Sequence, residues 1–123
     1  MSLNILAVDD SRTIRDMLNL TLNQAGFTTH LAEDGVHGVE VLDSLSPAPD
    51  VIITDINMPR MDGFGFIEAV RKIDKYRAIP ILVLTTESGA DLKQRARDAG
   101  ATGWIVKPFE PKKLIRALHM VTG

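Results

Sequence analysis

The sequence predicts an α/β domain, a parallel sheet covered by helices on both faces. Three observations predict it. Four short runs are almost purely apolar: Ile5-Leu6-Ala7-Val8, Val51-Ile52-Ile53, Ile81-Leu82-Val83-Leu84 and Trp104-Ile105-Val106. Such runs lack the alternation of half-exposed strands and suit strands buried on both faces. The stretches between them carry apolar residues at helical spacing. Strand and helix then alternate five times, the pattern of a parallel sheet joined by crossover helices.

The first run is followed by Ile14, Met17, Leu18, Thr21, Leu22 and Ala25, which mark a helix with one apolar stripe that Gly26 stops. Phe27 to Leu31, with Thr28 and Thr29, reads as a fifth, more polar strand nearer an edge of the sheet. Val36, Val39 and Leu42 mark the second helix, with Asp34 placed to cap it. Phe66, Ile67, Val70 and Ile73 mark the third. Ser88-Gly89-Ala90-Asp91 has the form of a capping box before the fourth, which ends at Gly100. From Asp91 to Ala99 this helix is nearly all charge and alanine, so it is expected to be loosely held. Leu114, Ile115, Leu118 and Val121 give the fifth, opening near Pro111, where proline is tolerated.

At 123 residues the chain is expected to form one domain, residues 1–123, since domains run to roughly 100–200 residues. No apolar run approaches the ~18 residues of a membrane span, and no basic-then-apolar leader is present, so membrane insertion is not expected. With no cysteine, disulfides, thiolate nucleophiles and zinc–thiolate sites are excluded. The net charge of −2 argues against nonspecific nucleic-acid binding. That total hides an asymmetry: residues 1–62 sum to −7 and residues 63–123 to +5. Arg95, Arg97, Lys112, Lys113 and Arg116 contribute to the basic half and suit a solvated or partner-facing surface.

Chemistry collects where the buried runs end. The first ends in Asp9-Asp10, the second in Thr54-Asp55, the third in Thr85-Thr86 and the last in Lys107. Open α/β sheets bind ligands outside the carboxyl ends of their strands. Taken singly, each residue has a plainer role: Asp10 or Ser11 caps a helix, Asp55 makes a turn, Thr85 ends a strand, Lys107 meets solvent. Their falling together at corresponding strand ends argues against four separate coincidences. Clustered carboxylates repel unless a cation or proton compensates. Mg²⁺ favours one or two carboxylates, waters and a phosphate oxygen, and a lysine holds a phosphoryl oxygen as a point charge. An aspartate between metal and lysine is a potential nucleophile towards phosphorus.

Asp9-Asp10, the segment Asp55-Ile56-Asn57-Met58-Pro59-Arg60-Met61-Asp62-Gly63, Thr85 and Lys107-Pro108-Phe109 together resemble the response-regulator receiver domain. The resemblance spans essentially the whole chain. It implies a doubly wound, flavodoxin-like sheet of five parallel strands in the order 2-1-3-4-5 with five helices. It implies Asp55 as phosphoacceptor, and Mg²⁺ held by Asp10, Asp55 and the backbone carbonyl of Asn57, with Asp9 acting through a bound water. Lys107, the Thr85 hydroxyl and the Thr86 backbone would bind the phosphoryl group. Pro108 is expected to follow a cis bond that aims Lys107 into the site. Asn57 and Glu87 take the positions that control dephosphorylation, while Thr85 and Trp104 take the switch positions. Two residues depart from the commonest pattern: β-branched Thr86 replaces a small residue, and Trp104 replaces tyrosine or phenylalanine. Indole has no phenolic oxygen, so any switching by Trp104 must use packing or its N–H, and a ring that only fills space against the fourth helix is the other reading.

The resemblance is to the short, stand-alone form used in chemotaxis. It implies a cytoplasmic monomer, a histidine kinase as donor and a protein target, with the flagellar motor switch as one candidate. A phosphorelay or phosphate-sink role outside chemotaxis is the alternative. A haloacid-dehalogenase-type phosphatase would carry a second aspartate two residues after the nucleophile, where this chain has Asn57. An FMN carrier would offer hydroxyl and glycine donors to phosphate, where this chain has Asp9-Asp10. A receiver with a dead site is opposed by the complete acidic and lysine set. His30, His37 and His119 have no metal-ligand spacing.

Overall fold

The structure is a computed structural model and describes residues 3–123. In chain order the elements are β1 (Asn4–Val8), α1 (Arg12–Gln24), β2 (Thr28–Ala32), α2 (Gly35–Ser44), β3 (Val51–Thr54), α3 (Gly63–Arg71), β4 (Ile81–Thr85), α4 (Ala90–Ala99), β5 (Gly103–Val106) and α5 (Pro111–Thr122). A 3-10 turn, Asp74–Tyr76, lies between α3 and β4. The five strands are parallel in the order β2-β1-β3-β4-β5, as the resemblance implies.

Successive side chains of a strand point to opposite faces, so one sheet feeds two cores. Ile5, Ala7, Val51, Ile53, Leu82 and Leu84 face one layer, where α1 supplies Leu18 and Leu22 and α5 supplies Leu114 and Leu118. Leu6, Val8, Ile52, Ile81 and Val83 face the other, packed by Leu42 of α2, by Phe66, Ile67 and Val70 of α3, and by Ala96 of α4. Each buried aliphatic side chain contributes roughly 1.5–3 kcal/mol, so the central strands anchor everything attached to their ends.

Several local expectations need correction. Met17 does not join the α1 stripe; it is 44 % exposed, while Leu18 and Leu22, with Ile14 packed beside them, form the inward face of that helix. The third helix stops at Arg71 and Ile73 turns extended, which lets the 3-10 turn bury Tyr76 with its hydroxyl 3.4 Å from the Leu42 carbonyl. No capping box forms at α4: Gly89 is the N-cap, and no side chain accepts from the first turn. The run ending in Val106 is not buried on both faces. β5 is an edge strand, partly covered, with Val106 42 % exposed.

The fourth helix is weakly anchored, as its composition predicts; it buries only Ala96. Its carboxyl end is nevertheless fixed. Gly100 takes a left-handed φ of 118° there, and the Arg71 guanidinium donates to the Gly100 carbonyl at 2.9 and 3.1 Å. Arg71 also donates to the Tyr76 and Arg77 carbonyls at 3.0 Å. Among the described residues, no helix is long and apolar enough to cross a membrane.

Candidate functional site

The carboxyl ends of β1, β3 and β5 converge as the sequence requires. Asp9 follows β1 and is 1 % exposed. Its Oδ1 accepts the Ser11 amide at 2.9 Å, while Ser11 itself caps α1 by accepting from the Ile14 amide. Asp55 follows β3, and its Oδ1 accepts the Ile56 amide at 2.6 Å. Lys107 follows β5 and reaches back over the sheet. Its ammonium donates to Asp55 Oδ2 at 2.8 Å and lies 2.6 Å from Asp9 Oδ2. The Lys107–Pro108 peptide bond is cis, and so is Ser46–Pro47, which the sequence marks only as part of a loop.

Asp10 is exposed, yet one carboxylate oxygen each from Asp9, Asp10 and Asp55 lies within 4.8 Å of the others. The electrostatics of the cluster are unfinished. Burial pushes the Asp9 carboxyl above the usual aspartate range, although Lys107 and the Ser11 amide pull the other way. Asp9 Oδ2 is buried, and apart from the Lys107 ammonium at 2.6 Å it meets no donor. Burial also opposes the charge on Lys107, but hydrogen bonds and attraction from Asp55 and Asp9 outweigh it and hold the ammonium above its usual pKa. Three carboxylates gather around one ammonium, which Asp9 and Asp55 share. That donor set fits a hard divalent cation.

Most of the remaining predicted residues meet at Glu87. Thr85 is fully buried at the end of β4 and accepts the Glu87 amide at a limiting 3.5 Å; Thr86 is exposed. The exposed Asn57 donates from Nδ2 to Glu87 Oε1 at 3.3 Å. Trp104 is half-buried, and its indole N–H donates to the Glu87 carbonyl at 3.0 Å. Glu87 thus touches both Asn57 and Trp104, a junction that spacing alone does not reveal. The histidines stay outside: His37 Nδ1 accepts the Glu33 amide, and His119 packs on Phe27.

One contact was not legible in the sequence. Arg60 donates a two-pronged hydrogen bond to Asp34, from Nε to Oδ2 at 2.8 Å and from Nη2 to Oδ1 at 3.0 Å. Asp34 caps α2 as expected, accepting the His37 amide at 2.9 Å. A lone arginine in a loop carries no pattern that pairs it with a cap residue 26 positions earlier.

Comparison with known proteins agrees with this geometry. The family model for the response regulator receiver domain matches residues 5–119. The chemotaxis protein CheY1 of Helicobacter pylori is 39 % identical over 123 residues, covering 98 % of each chain. A crystallised chemotaxis protein CheY4 of Vibrio cholerae is 45 % identical, with a TM-score of 0.93 over 98 % of this chain and 99 % of its own. The receiver domain of the sensor histidine kinase PA1611 from Pseudomonas aeruginosa is 25 % identical, with a TM-score of 0.90 over 100 % of this chain and 99 % of its own. That structure is described with a magnesium ion coordinated in the active site cleft. By fold, by motif and by full-length likeness, the chain belongs to the response regulator receiver domain family.

Proposed function

We propose that the chain is a phospho-acceptor switch of two-component signalling, most closely a chemotaxis regulator, with Asp55 as the acceptor. A phosphohistidine on a histidine kinase is the donor. An Asp55 carboxylate oxygen attacks phosphorus in line; the new O–P bond forms as the histidine N–P bond breaks, and the freed imidazole takes a proton from solvent. The observation that carries this reading is the placement of Asp55, buried at the end of β3 with an ammonium at 2.8 Å and two further carboxylates at hand.

Each residue then has a physical task. Lys107 neutralises charge on the incoming phosphoryl oxygens, replacing attraction to Asp9 and Asp55 with attraction to phosphate. Asp10, Asp55 and the Asn57 carbonyl, with Asp9 through a water, would hold Mg²⁺. When bound, that ion supplies charge neutralisation between carboxylates and phosphoryl oxygens. Thr85, with the Thr86 backbone, would hold the phosphoryl group once formed. Asn57 and Glu87, already in contact, would position the water that hydrolyses the acyl phosphate. The protein assists its own labelling and loss of label, but turns over no free substrate.

The face of α4, β5 and α5 is the proposed output, acting as a cytoplasmic monomer on a protein target such as a flagellar motor switch. Weak anchoring of α4 and the basic residues Lys112, Lys113 and Arg116 support that choice. Labelling from a radioactive phosphodonor tests the central claim. Asp55→Asn should abolish labelling, and chelation should abolish it reversibly; undiminished labelling of the variant would refute the assignment. Substitutions at Asn57 or Glu87 should change the decay rate of the label while leaving it able to form.

A further inference from the structure

We propose that Arg60 is a positioning residue for the phosphoryl site, acting through Asp34 to hold the loop from Asp55 to Gly63 in its cation-binding shape. This rests on the phospho-acceptor reading above. The loop carries Asp55 at its start and Asn57 two residues on, so its shape decides whether a cation meets a ready set of oxygens.

Three fastenings set that shape. Gly63 donates to the Ile56 carbonyl at 2.8 Å, closing the loop on itself. Gly35, at the start of α2, donates to the Met61 carbonyl at 3.1 Å, and a Cβ at position 35 would lie 2.6 Å from that oxygen. The third is the Arg60 fork. Its two parallel bonds to one carboxylate are the strongest geometry a guanidinium offers. Asp34 is buried and also accepts the His37 amide, so the fork fixes the loop to the first turn of a neighbouring helix. The Arg60 side chain is itself half exposed.

The backbone at Arg60 shows that this fastening does more than decorate the surface. Arg60 has a φ of 65°, and among the described residues it is the only non-glycine with a positive φ. Such a conformation disfavours any side chain and persists where the surroundings over-determine it. Glycine would relieve the strain at once, but glycine cannot fork to Asp34. The position keeps the side chain despite the backbone cost, and the side chain's contact is a clamp one loop away from the acidic cluster. Partners that orient ligating groups change metal affinity about 10- to 100-fold when removed.

The test is calorimetric titration of Mg²⁺ into the wild type, Arg60→Asn, Arg60→Lys, Asp34→Asn and the double variant Arg60→Asn with Asp34→Asn. Asparagine tolerates the left-handed φ at 60 and still caps a helix at 34, so folding is preserved at both positions. Arg60→Gly, which removes strain and fork together, is the second variant if Arg60→Asn folds poorly. Each single variant should raise the Mg²⁺ dissociation constant about ten-fold. The double should do no worse than either single, and lysine, which keeps the charge but loses the fork, should fail to rescue. Amide exchange at Ile56 and Gly63 should quicken in the magnesium-free variants. Wild-type affinity in Arg60→Asn, or strictly additive losses in the double, would overturn the proposal. Absence of labelling in wild-type protein that binds Mg²⁺ would instead refute the phospho-acceptor reading, and the titrations would still judge the clamp.

Discussion

Asp9 and Asp34 are buried almost equally, 1 % and 3 % exposed, yet their carboxyls are pushed in opposite directions. The Arg60 fork holds the Asp34 carboxyl below the usual range, against burial. At Asp9 burial wins and raises the carboxyl, even with Lys107 beside it. The difference is one of satisfaction. Asp34 accepts the His37 amide and both prongs of its own guanidinium, whereas Asp9 accepts one amide and shares the Lys107 ammonium with Asp55. A satisfied buried carboxylate builds scaffold. One whose charge is only partly compensated stores affinity for a cation, at the expense of stability until the cation arrives.

The largest effect should come from breaking the scaffold side. A Cβ on Gly63 would lie 2.1 Å from the Asp55 carbonyl oxygen and 2.8 Å from the Ile56 Cα, both backbone atoms that cannot step aside cheaply. Gly63→Ala should therefore destabilise by roughly 1–3 kcal/mol, the usual range for overpacking. Gly89→Ala is the control, because its Cβ would meet only Leu92 at 4.0 Å. Urea denaturation of the pair checks this; equal midpoints would mean that the loop has slack the geometry does not reveal.

The acidic cluster should respond the other way. Asp9→Asn removes a desolvated charge and part of the repulsion with Asp55, so without Mg²⁺ the variant should be about 1 kcal/mol more stable than wild type. Mg²⁺ should narrow or reverse that gap by binding the wild-type fold better. A variant destabilised in the absence of Mg²⁺ would show that the Lys107 pair outweighs the burial cost.

Much of this was legible in the sequence. Unbroken runs such as Ile81 to Leu84 told that the sheet is covered on both faces, and Asp10, Asp55 and Lys107 stood at strand ends where a parallel sheet gathers them. What the sequence does not show depends on the third dimension. Ser88-Gly89-Ala90-Asp91 has capping-box composition, but the helix starts after Gly89, one residue past the serine. Helical spacing cannot tell Met17 from Leu18, because only packing against the sheet decides where the stripe ends. The Arg60–Asp34 fork joins two loops that no local pattern connects.

The two aspartates also predict opposite slopes of stability against pH. Asp34 has a lowered carboxyl, so its contribution is complete above the ordinary aspartate pKa of ~3.9 and is lost as pH falls through the folded-state value. Asp9 has a raised carboxyl, so its penalty is absent in acid and grows as pH rises from about 3.9 through the folded-state value. The stability deficit of Asp34→Asn should therefore shrink towards zero in acid, and so should the gain of Asp9→Asn. Thermal melts of each variant against wild type across this range separate the two. A deficit in Asp34→Asn that stays constant into strong acid would detach it from the ion pair.

The smallest effect is spectroscopic and extends the comparison to a hydroxyl. Thr85 is fully buried like Asp9, and its contact with the Glu87 amide is long at 3.5 Å. A phosphoryl group on Asp55 offers that hydroxyl a charged acceptor, and charge-assisted hydrogen bonds are about twice as strong as neutral ones. If Thr85 turns towards it, the Glu87 segment loses one of its fastenings. The Glu87 carbonyl is what the Trp104 indole N–H holds, so the ring's surroundings change with it. The uncapped amino end of α4 follows directly and gives way more readily than the end that Arg71 fixes. A phosphoryl mimic shifts the equilibrium only by its different affinity for the two states, so a partial change is expected. Trp104 is the only tryptophan, and its emission reports on this junction alone. Beryllofluoride with Mg²⁺ should shift that emission in the wild type and markedly less in Thr85→Ala. Equal shifts in both proteins, with the mimic bound in both, would show that Trp104 senses the site by a route that bypasses the threonine.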